Sequence, residues 1–146
     1  MDTGFRAIKF KLVNERAKAP YKKHDTDSGF DLATVRAEAF GPFETKLIDL
    51  GVAFELPKGT ELILRPRSSL SKAGYLGAIG TIDEGYTGEV KAIITNLSMH
   101  MRKIEAGRRI MQAVPCATVR AEVFEALEFD NESERGANGF GSTGQL

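Results

Sequence analysis

Turn signals cut this chain into short pieces. Gly41-Pro42, Pro57-Lys58-Gly59, Glu84-Gly85 and Ala106-Gly107 punctuate it, and the runs between them are rich in β-forming residues. Residues 46–56, 60–65, 88–97, 109–114 and 117–127 each read as strands. Near the start, Ile8, Phe10 and Leu12 alternate with Lys9 and Lys11, the pattern of a half-buried strand. Only Ser68-Ser-Leu-Ser-Lys-Ala-Gly74 looks helical, and it is about two turns long. Ser68 or Ser69 is expected to cap it and Gly74 to end it. Many short strands with turn punctuation imply an all-β fold, a barrel or jelly roll.

With 146 residues the chain makes one domain large enough to bury a real core. Its formal net charge is zero, so electrostatics advertises neither a nucleic acid nor a membrane surface as partner. A single cysteine, Cys116, excludes an internal disulfide. It follows Pro115 in an apolar run and is expected to be a buried small hydrophobe. No N-terminal stretch resembles a signal peptide, and no run approaches a membrane span. The expected location is the cytoplasm, or a host's cytoplasm if the gene is viral.

Chemistry concentrates in a few segments. The last twelve residues, Arg135 to Leu146, contain four glycines and fit neither strand nor helix. A frayed end is the plain alternative. A frayed end needs no arginine, no aromatic ring at Phe140 and no Ser142-Thr143 pair; those are the parts of a clamp for something planar and something phosphorylated. The chain does not continue Gly-Lys-Ser/Thr into a helix, so this is no Walker loop. Upstream, the acidic run 128–134 reads as a solvated connector.

Arg65-Pro66-Arg67-Ser68-Ser69 ends a strand and opens the short helix. It offers a cation, hydroxyls and unpaired N–H groups to a phosphate, or else is an ordinary capped helix. Gly80 to Gly88 looks like a β-hairpin that carries a carboxylate, Asp83, and a ring, Tyr86. Its glycines let a ligand approach the backbone, and a free main-chain edge there can read the edge of a base. Asp25, Asp27 and Asp31 crowd one loop without EF-hand spacing. Asp31, between Phe30 and Leu32 at a strand start, requires a polar partner. In Gly107-Arg108-Arg109-Ile110-Met111-Gln112, alternation puts Ile110 and Gln112 on one face, and an inward glutamine needs a network or a ligand. His24 and His100 lack metal-site spacing. Met99 and Met101 read as packing, and the basic residues around Lys22-Lys23 as a solvated face.

In this order the segments resemble the five motifs of the homotrimeric dUTP diphosphatase (dUTPase) family. They are Ser28-Gly-Phe-Asp-Leu32, Pro66-Arg-Ser-Ser-Leu70, Gly80-Thr-Ile-Asp-Glu-Gly-Tyr-Thr-Gly88, Gly107-Arg-Arg-Ile-Met-Gln112 and the tail from Arg135-Gly136 through Phe140-Gly141-Ser142-Thr143-Gly144. The resemblance implies a jelly-roll domain over 1–128 and a flexible arm over 129–146, closing on sites that three subunits share. It implies Mg²⁺-dependent hydrolysis of dUTP to dUMP and pyrophosphate, which limits uracil incorporation into DNA. Asp83 would activate the water that attacks the α-phosphorus. Tyr86 would pack under the deoxyribose, and the Gly80–Ile82 backbone would pair with uracil. Arg67, Ser68, Ser69 and Gln112 would hold the phosphates. From the tail, Phe140 would stack on uracil, with Arg135, Gly141, Ser142 and Thr143 toward the outer phosphates. Magnesium would be held mainly by the triphosphate, with Asp31 contacting it through water.

Three positions depart from the family's commonest pattern: Ser69 where many members have glycine, Gly77 near where some members carry a uracil-contacting asparagine, and Met111 for the usual alanine. A dCTP deaminase, which shares the fold, and a trimeric binding protein without turnover are the rival readings. The third motif and the intact set of Asp83, Tyr86, Arg135 and Phe140 favour the diphosphatase.

Overall fold

A computed structural model describes residues 6–130, 133–139 and 144. It is nearly all β. The elements are β1 (Lys9–Leu12), β2 (Phe30–Ala33), β3 (Glu38–Phe40), β4 (Thr45–Asp49), β5 (Val52–Glu55), β6 (Thr60–Pro66), α1 (Ser68–Lys72), β7 (Tyr75–Gly77), β8 (Gly80–Ile82), β9 (Lys91–Asn96), β10 (Arg102–Ile104) and β11 (Arg109–Ala117). Every strand pairing is antiparallel. Four strands lie in the order β2-β11-β6-β8, three as β4-β9-β7, and β1-β5 and β3-β10 form two-stranded pieces. Sheet faces close on one core that includes Phe40, Ile48, Leu62, Leu70, Ile94 and Ile104. Phe40 and Tyr75 meet edge to face inside it, 5.5 Å between centroids.

The longest strand, β11, organises the site. It pairs with β2 on one side and β6 on the other, so Gln112 lies between Asp31 and Arg65. Pro115 is tolerated in this strand because the pairing with β2 stops at Ala113 opposite Phe30, the first residue of β2, leaving no ladder on that side for its missing N–H.

Several expectations need correction. The run 46–56 is two strands. Gly51, at φ +67°, turns the chain between β4 and β5, and a Cβ there would lie 2.5 Å from Ala17 Cβ. The segment 117–127 is no strand beyond Ala117. Val119, Val123, Phe124 and Leu127 are 78–99% exposed, because a strand needs a ladder partner and these residues have none among those described. Strand β1 forms, yet Phe10 and Leu12 are nearly half exposed, so alternation gave its conformation but not its burial. Cys116 is half-buried, its thiol pointing to the Val114 carbonyl at 3.7 Å. The helix has Arg67 as its N-cap, with no side-chain cap, while Gly74 ends it at φ +83°.

A candidate nucleotide site in two halves

The first half is built on β8. This strand pairs with β6 alone, Gly80 opposite Leu64 and Ile82 opposite Leu62, and its other main-chain edge is free among the described residues. The expected hairpin is absent. After Ile82 the chain makes a tight turn, closed by the Tyr86 N–H donating to the Asp83 carbonyl at 3.0 Å, and then leaves for a different sheet through Val90 and β9. The consequence favours binding, since no return strand covers the edge of Gly80–Ile82. A cavity of about 260 Å³ opens here, lined among others by Gly80, Ile82, Asp83, Tyr86 and Lys91.

Two glutamates hold the turn. Glu84 accepts the Gly59 N–H at 2.8 Å, and Glu89 accepts the Gly51 N–H at 3.0 Å. The Tyr86 hydroxyl donates to the Glu89 carbonyl at 2.9 Å. Asp83 itself is exposed and has no ion-pair partner among the described residues, so its carboxylate is available to a water or ligand. Lys91 is engaged by Asp49 and by Glu89 at 3.6 Å. Its hydrogen bond to Asp49 holds the Asp49 carboxyl below the usual carboxylate range and pushes the Lys91 ammonium up. Sequence reasoning missed Lys91, Asp49 and Glu89. A carboxylate that binds a distant backbone N–H leaves no local pattern.

The second half gathers around β2 and β11. A cavity of about 610 Å³ is lined by Tyr21, His24, Asp31, Arg67, Arg109 and Gln112, with others. Asp31 has the partner its position required: Arg67 Nε, 3.2 Å from Oδ1. Arg67 is fixed further by its own N–H on the Ile110 carbonyl at 2.9 Å. A Cβ on Gly29 would come within 3.1 Å of Gln112 Oε1, so that glycine makes room for the amide. The strict alternation expected along β11 fails at its start. The register against β2 slips between Arg109 and Met111, a bulge at Ile110 that buries Ile110 and Met111 together and puts Arg109 and Gln112 on one cavity. The Arg109 guanidinium carbon sits over the Tyr21 ring, 3.7 Å from its centroid.

Ser68 and Ser69 are exposed beside Arg67, and their hydroxyls have no hydrogen-bond partner among the described residues. Asp27 closes a turn by accepting the His24 N–H at 2.9 Å, the plain structural role. Arg135 donates to the Asn138 carbonyl at 3.1 Å within an exposed turn and meets neither cavity. Phe140, Gly141, Ser142 and Thr143 lie outside the described residues.

The two halves are far apart in one chain. Asp83 follows Ile82, which faces Leu62, whereas Arg67 and Ser68 follow the other end of β6. Five residues of extended strand separate Leu62 from Arg67, about 17 Å at ~3.3 Å per residue.

Comparison with known proteins points to one family. Residues 15–144 match the family model described as dUTPase. A deoxyuridine 5'-triphosphate nucleotidohydrolase of Clostridium novyi (strain NT) is 46% identical over 135 residues, covering 90% of this chain and 94% of that protein. One from Nautilia profundicola is 42% identical over 141 residues, covering 94% of this chain and 99% of that protein. Among solved structures, the Staphylococcus bacteriophage 80alpha dUTPase with dUPNHPP superposes at a TM-score of 0.91, with 28% identity over 96% of this chain and 99% of that one.

Proposed function

This chain belongs to the dUTPase family, and we infer that it hydrolyses dUTP to dUMP and pyrophosphate. One observation carries the mechanism: Asp83 and Tyr86 share a turn at the end of the free edge of β8, at one cavity. The free edge offers backbone donors and acceptors to the edge of uracil. Tyr86 packs under the sugar and leaves no room for a 2′-hydroxyl. Asp83, exposed and without an ion-pair partner among the described residues, takes a proton from the water that attacks the α-phosphorus, a contribution typically of about 10²–10⁴ in rate.

Arg67, Ser68, Ser69 and Gln112 hold the phosphates, where preformed cations and hydroxyls stabilise developing charge. Arg135 and the segment Phe140–Thr143 close over the nucleotide, the ring on uracil and the hydroxyls on the outer phosphates. Asp31 suits a magnesium ion held mainly by the triphosphate. One of its oxygens is taken by Arg67, and no group of three or more acidic, histidine or cysteine side chains able to hold a metal occurs among the described residues. When bound, the ion would neutralise charge on the phosphate oxygens.

Within one chain the Asp83 turn and the Arg67–Ser68 group lie at opposite ends of the β6 stretch from Leu62 to Arg67, about 17 Å long. One nucleotide therefore bridges Asp83 of one subunit and the phosphate group of another, which supports a homotrimer with shared sites. No helix is long and apolar enough to cross a membrane, and the cytoplasm is the proposed location. A pyrophosphate-release assay across the deoxynucleoside triphosphates tests the reading. Release from dUTP alone is expected. Ammonia release from dCTP, or tight dUTP binding without pyrophosphate, would overturn it in favour of a deaminase or a binding protein.

A further inference from the structure

Three glycines punctuate 80–88, and only one is crowded by a neighbouring side chain. A Cβ built on Gly80 comes no nearer than 3.9 Å to another residue, and one on Gly85 meets nothing within 4 Å. On Gly88 it would lie 2.6 Å from Tyr86 Oη, 2.8 Å from Cζ and 3.1 Å from Cε2. A Cβ does not approach other heavy atoms that closely, so any side chain at 88 forces the Tyr86 side chain to shift. The backbone does not demand glycine here, because Gly88 is not among the residues with positive φ. What excludes a Cβ is Tyr86 itself. The hydroxyl end of the ring lies against residue 88, where its hydroxyl reaches the Glu89 carbonyl at 2.9 Å.

We propose that Gly88 is a specificity-determining positioning residue, which seats the Tyr86 ring against the main chain and so sets the depth of the sugar end of the pocket. The proposal rests on reading that cavity as the deoxyribose site. Gly88 touches no substrate; it acts through Tyr86. Alanine at 88 displaces the ring from the Glu89 carbonyl, and the displaced ring meets the sugar at the wrong height. The water and Asp83, three residues upstream of Tyr86, keep their turn.

The experiment is a double-mutant cycle on the intact enzyme, with Gly88→Ala, Tyr86→Leu and the double variant, each assayed on dUTP and UTP. Gly88→Ala is expected to raise KM for dUTP roughly tenfold or more, as about 1 Å of misplacement can cost up to ~10²-fold, with a smaller change in kcat and an altered dUTP-to-UTP ratio. In the Tyr86→Leu background the same substitution is expected to be silent. Fluorotyrosine NMR of the free protein, which has three tyrosines, reads the ring directly; the Tyr86 signal should shift in Gly88→Ala. Equal losses in both backgrounds, or an unmoved Tyr86 signal, would overturn the proposal. A shifted signal with unchanged kinetics would overturn the specificity role. A wild-type enzyme with no dUTP turnover would instead overturn the reading of the cavity.

Discussion

The Glu84 carboxylate accepts the Gly59 N–H at 2.8 Å, tying the turn that carries Asp83 to the turn between β5 and β6. Glu89 makes the matching bond to Gly51 at the near end of β5. The turn is thereby stapled at two points across one strand, with Asp83 and Tyr86 beside them. Glu84→Ala removes one staple and leaves a half-buried N–H unpaired. The expected cost is about 1–2 kcal/mol of stability, read from urea denaturation. kcat/KM for dUTP should fall as well, because the turn gains freedom. Unchanged kinetics would mean that Glu89 alone fixes the turn.

Asp83→Asn keeps the side chain's shape and removes its basicity. Turnover of dUTP is expected to fall by about 10²–10⁴, while dUTP still binds in calorimetry. Because Asp83 is exposed, stability should stay within about 0.5 kcal/mol of wild type. Near wild-type turnover would remove Asp83 from its role as base.

If each site draws Asp83 and Arg67 from different chains, two dead variants should complement one another. Asp83→Asn and Arg67→Ala proteins, each inactive, are expected to regain activity when denatured together and refolded, since some mixed trimers contain one intact site. Light scattering on the wild type should give three times the 15.9 kDa chain mass. No recovery from a mixture of demonstrated mixed trimers would place both residues in one chain's site.

How far the sequence revealed this arrangement follows from the range of each signal. Asp31 between two apolar residues announced a partner but not its identity, since Arg67 lies across a strand junction. Glycine and turn signals located the segment with Asp83 and Tyr86. They could not tell a hairpin from a turn that changes sheets, because that choice depends on where Val90 and β9 find partners. Alternation failed at Ile110, where a bulge shifts the phase and brings Arg109 and Gln112 to one cavity. It also failed over 117–127, where β-forming composition is present and a partner strand is absent among the described residues.

The Asp49–Lys91 pair, beside the Asp83 cavity, predicts a pH dependence at both extremes. Asp49 titrates below its ordinary 3.8, chiefly through the hydrogen bond from Lys91. Its contribution is present above 3.8 and is lost as pH falls through the lower folded-state value. Lys91 titrates above its ordinary 10.5, chiefly through Asp49; its contribution is complete below 10.5 and is lost as pH rises through the higher folded-state value. Urea denaturation of wild type and Asp49→Asn across pH should therefore show a constant difference in the neutral range that shrinks at each extreme. A difference that grew in acid would reverse the assigned sign.

Asn96 is the buried polar group on which the loop before β10 depends. It is fully buried, and all of its amide's capacity is used. Nδ2 donates to the Gly41 carbonyl at 2.9 Å and the His100 carbonyl at 2.8 Å, while Oδ1 accepts the Ser98 N–H at 3.0 Å and the Ser98 hydroxyl at 2.9 Å. One side chain thus joins the 97–101 turn to the loop between β3 and β4. Asn96→Ala strands these groups out of reach of water and is expected to cost about 2–4 kcal/mol. Asn96→Asp, which cannot donate, should be no better, because a buried charge replaces the lost bonds. Ser98→Ala removes a hydroxyl at the exposed end of the same cluster and should cost under about 1 kcal/mol. Unfolding midpoints at one fixed protein concentration would rank the three, since assembly shifts apparent stability with concentration. An Asn96→Ala protein as stable as Ser98→Ala would show that the turn is held by its apolar neighbours rather than by this amide.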